Sequence, residues 1–167
     1  RYCSNEPWVS RQIFAGFKGS VKAHRAEFFN QLSDVGVTVT VSPGSTLQYT
    51  DYLKYLSTVQ VCIHNDDVTW LIDGGKPVNA GLGMWHRCIE NAARGCFSLR
   101  NWNEEETSMN ISSIPSIKLY RSVDEIPAIL ESIKALDPIV RQSLIDQSIE
   151  HIKRENYWVV VADTLAS

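Results

Sequence analysis

The chain has 167 residues, of which 44% are hydrophobic and 21% are charged, and this length and composition are typical of one globular domain with a single core. Its 16 Lys and Arg against 19 Asp and Glu give a formal net charge of -3, which excludes a general electrostatic attraction to nucleic acid or to an anionic membrane. No apolar run approaches the roughly 20 residues that span a bilayer, and no signal-peptide pattern opens the chain, so we expect a cytoplasmic protein with no transmembrane segment.

The first third of the chain predicts alternating strands and helices. The apolar residues 13–17 predict a buried strand, and Ser20 is the predicted N-cap of a helix that runs to about residue 34. The inner stripe of that helix is predicted to hold Val21, His24, Phe28 and Leu32, with Gly36 just past its end. The β-branched residues 37–41 predict a second strand, which Ser42-Pro43-Gly44-Ser45 is predicted to end.

The middle of the chain predicts a short helix, a strand and a long loop. Residues 50–57 have helical spacing, and residues 59–64 are an apolar strand. Residues 65–79 are predicted to form a polar loop, long enough to be functional or mobile. The cysteines and histidines of the chain show neither C-x-x-C pairs nor i,i+4 histidine pairs, so we expect reduced structural thiols and no metal site.

Residues 81–99 predict a glycine-bearing loop, an amphipathic helix and a buried strand in succession. The apolar stripe of the helix comprises Leu82, Trp85, Ile89, Ala92 and Ala93, and a different face carries Gly83, Arg87, Glu90 and Arg94. One face can therefore pack while the other binds a ligand.

The last third predicts one strand followed by helices. Residues 117–120 form the strand, and Ser122 with Glu125 form a predicted capping box for a helix through Leu136. Asp137 and Pro138 are the predicted N-cap and first residue of a helix that reaches about residue 156, with Val140, Leu144, Ser148 and Ile152 in register. Residues 157–165 favour a last helix, with a strand as the alternative.

Strands that alternate with helices indicate a doubly wound α/β domain with a parallel sheet, and no linker divides residues 1–167. In such domains ligands bind beyond the carboxyl ends of the strands. This rule places the turn after Phe17, the loop after His64 and the loop before Met84 on one rim.

The rim offers the chemistry of an anion site. Gly81 and Gly83 let a phosphate approach the amides of a helix N-terminus, and Arg87 lies one turn along. Glu90 follows Gly83 by about 10 Å of helix, a distance that suits a ribose hydroxyl. The alternative is an exposed Arg87–Glu90 ion pair beside glycines that only shape a turn.

Other polar residues are open to two interpretations. Lys18 and Arg25 could reach a diphosphate or could be ordinary surface cations, and Trp102 could stack on a ligand or close the edge of the core. His64 and His86 are expected to pack rather than to catalyse. The acidic residues 104–106 are expected to be a solvated loop.

Several segments resemble one enzyme family. Residues 87–99, RCIENAARGCFSL, resemble the R-x-F-E-A-x-A-x-G-x-F-x-L segment of the CgeB-type (spore maturation protein B-like) glycosyltransferases. Residues 52–57 and 61–65 resemble that family's helix and its sLNIH-like strand, and residues 119–126 resemble its Y-x-S-x-E-E-L entry into the C-terminal helices. Residues 11–41 fit its first β-α-β unit, with Arg25 where an arginine commonly opens the helix.

The resemblance implies the C-terminal, Rossmann-like half of a GT-B glycosyltransferase, which binds a nucleotide-diphosphate sugar and uses no essential metal. Glu90 matches the glutamate that in many relatives holds the ribose, and Gly83 falls in the loop that faces the diphosphate. The donor-binding residues expected from the rim and the resemblance together are Lys18, Arg25, Asn65, Gly83, Arg87 and Glu90.

Two features depart from the pattern of a complete enzyme. Retaining members often carry a second glutamate eight residues before the Glu90 position, where this sequence has Leu82, so the resemblance does not extend to that retaining mechanism. A GT-B enzyme also has an N-terminal acceptor domain, which 167 residues cannot contain in addition. We therefore expect that domain, and the catalytic base, outside this chain, with a glycan, lipid or protein as acceptor.

Two alternatives stay open at the level of sequence. Exostosin-type glycosyltransferases share a similar S-x-R-x-x-E-A-x-x-G-C pattern, which His86-Arg87 and Gly95-Cys96 match in part. A non-catalytic nucleotide-binding or interaction module could keep the same fold without turnover, because fold does not fix function.

Overall fold

The computed structural model describes residues 7–19, 21, 23–43, 49–65, 69–72, 76–79, 85–102 and 110–155. Several predictions fall outside these residues: the Ser20 cap, the role of Gly83, the acidic loop 104–106 and the last helix over 157–165. The described strands are β1 (Ile13–Gly19), β2 (Thr40–Pro43), β3 (Val59–His64), β4 (Thr69–Ile72), β5 (Lys76–Asn79), β6 (Phe97–Asn101) and β7 (Ile117–Tyr120). The described α-helices are α1 (Ala23–Asp34), α2 (Tyr49–Leu56), α3 (Trp85–Ala93), α4 (Ile126–Lys134) and α5 (Pro138–Arg154).

Five of the strands form one parallel sheet in the order β2-β1-β3-β6-β7. The register pairs Ala15 of β1 with Val61 of β3, and Val61 with Phe97 of β6. All four ladders of this sheet are parallel. The predicted doubly wound α/β fold is confirmed.

Helices cover both faces of the sheet, so the central strands are buried on both sides, as expected for parallel strands. On one face α1, α4 and α5 enclose a core that includes Phe28, Leu32, Val61, Ile63, Phe97, Leu99, Ile126, Leu130, Ile133 and Ile145. On the other face α2 and α3 pack in two smaller clusters that include Tyr52, Tyr55, Leu56, Cys62, Cys88, Ile89, Ala92 and Cys96. The three described cysteines are buried free thiols, as predicted.

The second strand begins later than predicted. The β-branched run suggested residues 37–41, whereas β2 spans Thr40–Pro43 and Val37 packs into the core outside the ladder. Pro43 is the last residue of β2, which is an edge strand, and edge strands are where a sheet tolerates proline.

The predicted polar loop over 65–79 contains a hairpin. Strand β4 pairs antiparallel with β5, Trp70 opposite Val78. The sequence contains a signal for this hairpin, although the length of the segment favoured a loop. Thr69-Trp70-Leu71-Ile72 favours a strand, and Asp73-Gly74-Gly75 is a sequence typical of hairpin turns.

The predicted helical stripes are wrong at their first residues, Val21 and Val140, and are confirmed toward their last ones, Leu32 and Ile152, which are buried. Phe28 and Leu32 of α1 are buried, but Val21 precedes the helix and is 43% exposed. In α5 Val140 is 48% exposed, because the packed residues are Ile145, Ser148, Ile149 and Ile152, a stripe that begins in the second turn of the helix. Gly36 follows α1 at φ +78°, the left-handed conformation that the glycine after a helix supplies.

Of the three predicted helix caps, two lie within the described residues, and one of these two is confirmed. Asp137 caps α5, accepting hydrogen bonds from the backbone N–H groups of Ile139 at 2.8 Å and Val140 at 3.4 Å. The predicted capping box at Ser122 is wrong, since a 3-10 turn over Val123–Glu125 intervenes and the Ser122 side chain makes no cap bond. Glu125 instead accepts from the backbone N–H of Arg121 at 2.9 Å.

The Asp137 cap gives a direct stability prediction. Asp137→Ala is expected to lower the free energy of unfolding by about 1 kcal/mol, because two N–H groups lose their acceptor. Asp137→Ser should retain most of that stability. Asp146→Ala removes the same charge in mid-helix and is the control, with an expected change of less than about 0.5 kcal/mol. Urea unfolding measures all three, and equal losses for Asp137→Ala and Asp146→Ala would refute the capping role.

The longest described helix, α5, has 17 residues. None of the helices in the described ranges combines the length and the apolar character that crossing a membrane requires.

Candidate functional site

The strand order reverses between β1 and β3, and we call the region beyond the carboxyl ends of these two strands the crevice, because doubly wound domains bind ligands there. From β1 the chain moves outward to β2 and then returns to the opposite side of β1 as β3. The connection after β1 runs to β2 and the connection after β3 runs to β6, in opposite directions along the sheet, and ligands of doubly wound domains bind at such a point. Lys18 near the end of β1 and Asn65 directly after β3 therefore lie on the expected rim.

Arg87 connects α3 to the end of β1. Its Nη1 donates to the carbonyl oxygen of Lys18 at 2.9 Å, and its guanidinium carbon lies 5.4 Å from the ring centroid of Tyr52. A Cβ on Gly19 would come within 3.3 Å of the same Nη1, so the glycine gives the guanidinium room. Arg87 is thus held at the crevice by a backbone oxygen and an aromatic face.

The other two predicted cations also lie against aromatic rings. Lys18 Nζ is 5.1 Å from the ring centroid of Tyr55, and the Arg25 guanidinium carbon is 5.3 Å from that of Phe17. Lys18 Nζ also approaches the carbonyl oxygen of Asp51 at 3.4 Å. Both side chains are half-buried, and their binding of a diphosphate stays a prediction.

Glu90 is more buried than the predicted open polar face implies. It is 9% exposed, on α3 next to the fully buried Asn91. Burial raises the pKa of the Tyr52 hydroxyl, and the carboxylate of Glu90 is among the negative groups that raise it further. Glu90 therefore lies with Tyr52 and Asn91 among the buried polar side chains of α2 and α3, which we call the polar layer. Its contact with a ribose stays a prediction.

Sequence reasoning missed a buried polar relay that joins α2, α3 and β3. The hydroxyl of Tyr52 donates to Oδ1 of Asn91 at 2.8 Å, and Nδ2 of Asn91 lies 2.6 Å from Nε2 of His64. The same Nδ2 lies 3.4 Å from Oγ of Ser98 on β6. An amide NH₂ group only donates, so Nε2 of His64 accepts and the ring proton is on Nδ1.

Three arginines share an electrostatic effect on His64. The pKa of His64 is lowered from 6.5 to about 3, mainly by burial and then by the positive charges of Arg87, Arg100 and Arg25, in that order. Arg100 is 1% exposed and pairs in register with His64 across the β3–β6 ladder. The crevice is therefore locally positive although the chain carries a net charge of -3.

His64 is buried as expected of a packing residue, with 3% of its surface exposed. Its Nδ1, however, has no hydrogen-bond partner among the described residues. Asn91 was the signal available in the sequence, because an amide beside the apolar stripe of a buried helix needs polar partners inside the protein. The side chain of His86 lies outside the described part of the structure.

Trp102 follows β6 and is half-buried. The backbone N–H of Trp102 donates to the carbonyl oxygen of Tyr120 at 2.8 Å. The guanidinium carbon of Arg121 lies 4.3 Å from the ring centroid of Trp102. One face of the ring is thus covered by Arg121.

In the described ranges, no group of three or more His, Cys, Asp or Glu side chains is arranged to hold a metal ion.

The crevice combines three features that suit an anionic ligand: cationic side chains, a buried histidine with one open nitrogen, and the carboxyl ends of two central strands. No protein-family model, curated protein or solved structure matches this chain.

Proposed function

We propose that this chain is the donor-binding domain of a glycosyltransferase, and that it binds a nucleotide-diphosphate sugar at the carboxyl ends of β1 and β3. The observation that carries the proposal is the position of Arg87, which donates to the end of β1 while its charge acts, together with those of Arg25 and Arg100, on His64. The segment over residues 87–99, which resembles the donor-binding segment of the CgeB-type enzymes, contributes this same arginine.

The chemical task of such a site is to stabilise the diphosphate that leaves when the sugar is transferred. Preorganised cations reduce the cost of the developing negative charge, and they do so more strongly where water is excluded. Arg87 can bind phosphate oxygens in a bidentate manner with its remaining N–H groups, and Lys18 supplies a point charge. Both are already oriented by their contacts with Tyr52, Tyr55 and the β1 backbone.

The proposal assigns a second role to the buried side of α3. Glu90 lies one turn after Arg87 on this helix, so a nucleotide whose phosphates contact Arg87 could place its ribose near Glu90. Asn65 and Arg25 flank the same rim. The acceptor and the catalytic base are supplied by a separate acceptor domain in this proposal.

Isothermal titration calorimetry with UDP, GDP and inorganic pyrophosphate tests the proposal. We expect at least one nucleoside diphosphate to bind, and Arg87→Ala to weaken that binding about tenfold or more, because charge-assisted hydrogen bonds to phosphate are lost. Lys153→Ala is the control, since Lys153 is an exposed cation on α5, and it should bind as the unchanged chain does. The absence of binding by both nucleotides would refute the donor site.

Glu90→Gln separates ribose recognition from a structural role in the same assay. The variant keeps the shape of the side chain and removes its charge, so we expect weaker binding of the nucleoside diphosphate and unchanged binding of pyrophosphate, which has no ribose. A lower melting temperature with unchanged nucleotide affinity would instead make Glu90 a structural member of the polar layer.

A further inference from the structure

We propose that the Nδ1–H group of His64 is a ligand-binding donor, which gives its hydrogen bond to a phosphoryl oxygen of the bound diphosphate. This inference rests on the proposed function for the identity of the ligand, but its geometry comes from the buried relay alone. It assigns a binding role to a residue whose sequence context predicts only packing.

The relay fixes which nitrogen of His64 can serve a ligand. Tyr52 donates to Oδ1 of Asn91, which turns Nδ2 of the amide toward Nε2 of His64. All three side chains are buried, His64 and Tyr52 at 3% and 8% exposure and Asn91 completely. The ring orientation and the tautomer are therefore set before any ligand arrives, as they are for a histidine held by a supporting hydrogen bond.

The Nδ1–H group of His64 is a buried donor with no acceptor among the described residues. Buried donors are nearly always hydrogen-bonded, and leaving one unpaired destabilises a protein. Nδ1 of His64 is buried with no partner among the residues that the structure describes, and His64 is the last residue of β3, at the strand end where the ligand of a doubly wound domain is expected. A ligand oxygen that accepts from Nδ1 would remove this cost on binding.

The surrounding charges favour an anionic acceptor. Arg87 on α3, Arg100 on β6 and Arg25 on α1 all act on the ring. The negative charge of Glu90 on α3 acts on Tyr52 of the relay, and Lys18 lies near the end of β1, where its carbonyl accepts from Arg87. Burial and these cations hold the pKa of His64 at about 3, so the ring stays neutral and Nε2 keeps its bond with Asn91. A phosphoryl oxygen can then accept from Nδ1–H and also interact with the guanidinium groups.

Two substitutions separate the nitrogens of His64. His64→Gln places an amide oxygen near the Nε2 position, where it can accept from Asn91, and lacks the Nδ1 donor. His64→Asn places an amide NH₂ near the Nδ1 position and lacks the contact with Asn91. We expect His64→Gln to weaken pyrophosphate binding by about tenfold, and His64→Asn to retain more of the affinity than His64→Gln does.

His151→Gln is the matched control, because His151 lies on α5 beside Ser113 and Arg154, and its pyrophosphate affinity should not change. Nitrogen-15 NMR of the histidine-labelled chain is the second readout. We expect His64 to be protonated at Nδ1 alone at neutral pH, and pyrophosphate to shift the Nδ1 resonance.

The outcomes distinguish this inference from the proposed function. Pyrophosphate binding that is equal in His64→Gln and the unchanged chain overturns the role of His64 and leaves the nucleotide site standing. Weakened pyrophosphate binding in His64→Gln, with no nucleoside diphosphate bound by the unchanged chain, supports His64 and refutes the donor site. If His64→Gln does not fold, an Nδ1 resonance that pyrophosphate leaves unmoved overturns the inference.

Discussion

Replacing Arg11 with methionine is expected to lower the free energy of unfolding by about 3–5 kcal/mol, or to prevent folding, because the change removes one member of a buried polar network. Arg11 is 3% exposed. Its Nη1 donates to the carbonyl oxygens of Leu56 at 2.7 Å and Val59 at 2.8 Å, and its Nη2 donates to that of Arg94 at 2.6 Å.

These acceptors explain the size of the expected effect. Leu56 is the last residue of α2, and Arg94 directly follows α3, so the guanidinium lies at the carboxyl ends of two helices, where a positive charge is favourable. Nη1 also lies 3.1 Å from Sγ of Cys96, and contact with Arg11 is one of the causes that lower the pKa of that thiol. Methionine could fill the space but would leave the carbonyl oxygens without this donor.

Two further variants test this explanation of the Arg11 effect. Arg11→Lys should be destabilised as well, because a single ammonium group cannot reproduce the planar fork that reaches acceptors on both helices. Arg154→Ala is the control for loss of an arginine at an exposed site, since its side chain is 70% exposed, and it should change the free energy of unfolding by less than about 0.5 kcal/mol. A similar small loss for Arg11→Met in urea unfolding would contradict the bridging role.

The second large effect is a dependence of stability on pH through His64. The folded-state pKa of about 3 lies below the unfolded value of 6.5, so between these values the unfolded chain binds a proton that the folded chain does not. Folding stability from this group is therefore complete above pH 6.5 and falls as the pH drops toward 3. Between pH 7 and pH 4, the titration of His64 is expected to lower the free energy of unfolding by about 3 kcal/mol.

Comparison with His64→Gln isolates this term, because carboxylates also titrate in acid and contribute to both curves. Urea unfolding at several values between pH 4 and pH 7 should show a steeper loss of stability for the unchanged chain than for the variant. The sign follows from burial and from the positive charges of Arg87, Arg100 and Arg25, all of which oppose protonation of the ring. Parallel curves would show that the buried ring does not resist protonation.

The fold was predictable wherever a local pattern and the tertiary structure agree. The apolar run of β3, the stripe of Phe28 and Leu32 on α1, and the Asp137 cap are local signals that packing reinforces. The start of β2 was not predictable from its β-branched run, because pairing with β1, and not intrinsic propensity, decides which residues of an edge strand join the ladder. The hairpin of β4 and β5 was not predicted, because the length of the segment over residues 65–79 favours a loop even though residues 69–72 favour a strand.

The candidate site was predictable in part. Arg87 and Lys18 were identified from their positions on the rim, and the structure brings them together through the Lys18 carbonyl. The relay of Tyr52, Asn91 and His64 was not predictable, because its members are separated along the chain and meet only when α2, α3 and β3 pack. The burial of Glu90 was hidden for the same reason, since helical periodicity gives relative faces and not which of them a neighbour covers.

The central position of the β1–β3 ladder has a consequence for how the site responds to partial unfolding. Ile13 pairs with Val59 and Ala15 with Val61, so the ladder joins segments that are distant along the chain and forms only when the intervening α1, β2 and α2 are in place. The hairpin of β4 and β5 belongs to a separate two-stranded sheet and forms no part of this ladder. Backbone amides of this ladder should therefore exchange with solvent only through global opening, so the two strands that carry Lys18 and His64 stay joined until the domain unfolds.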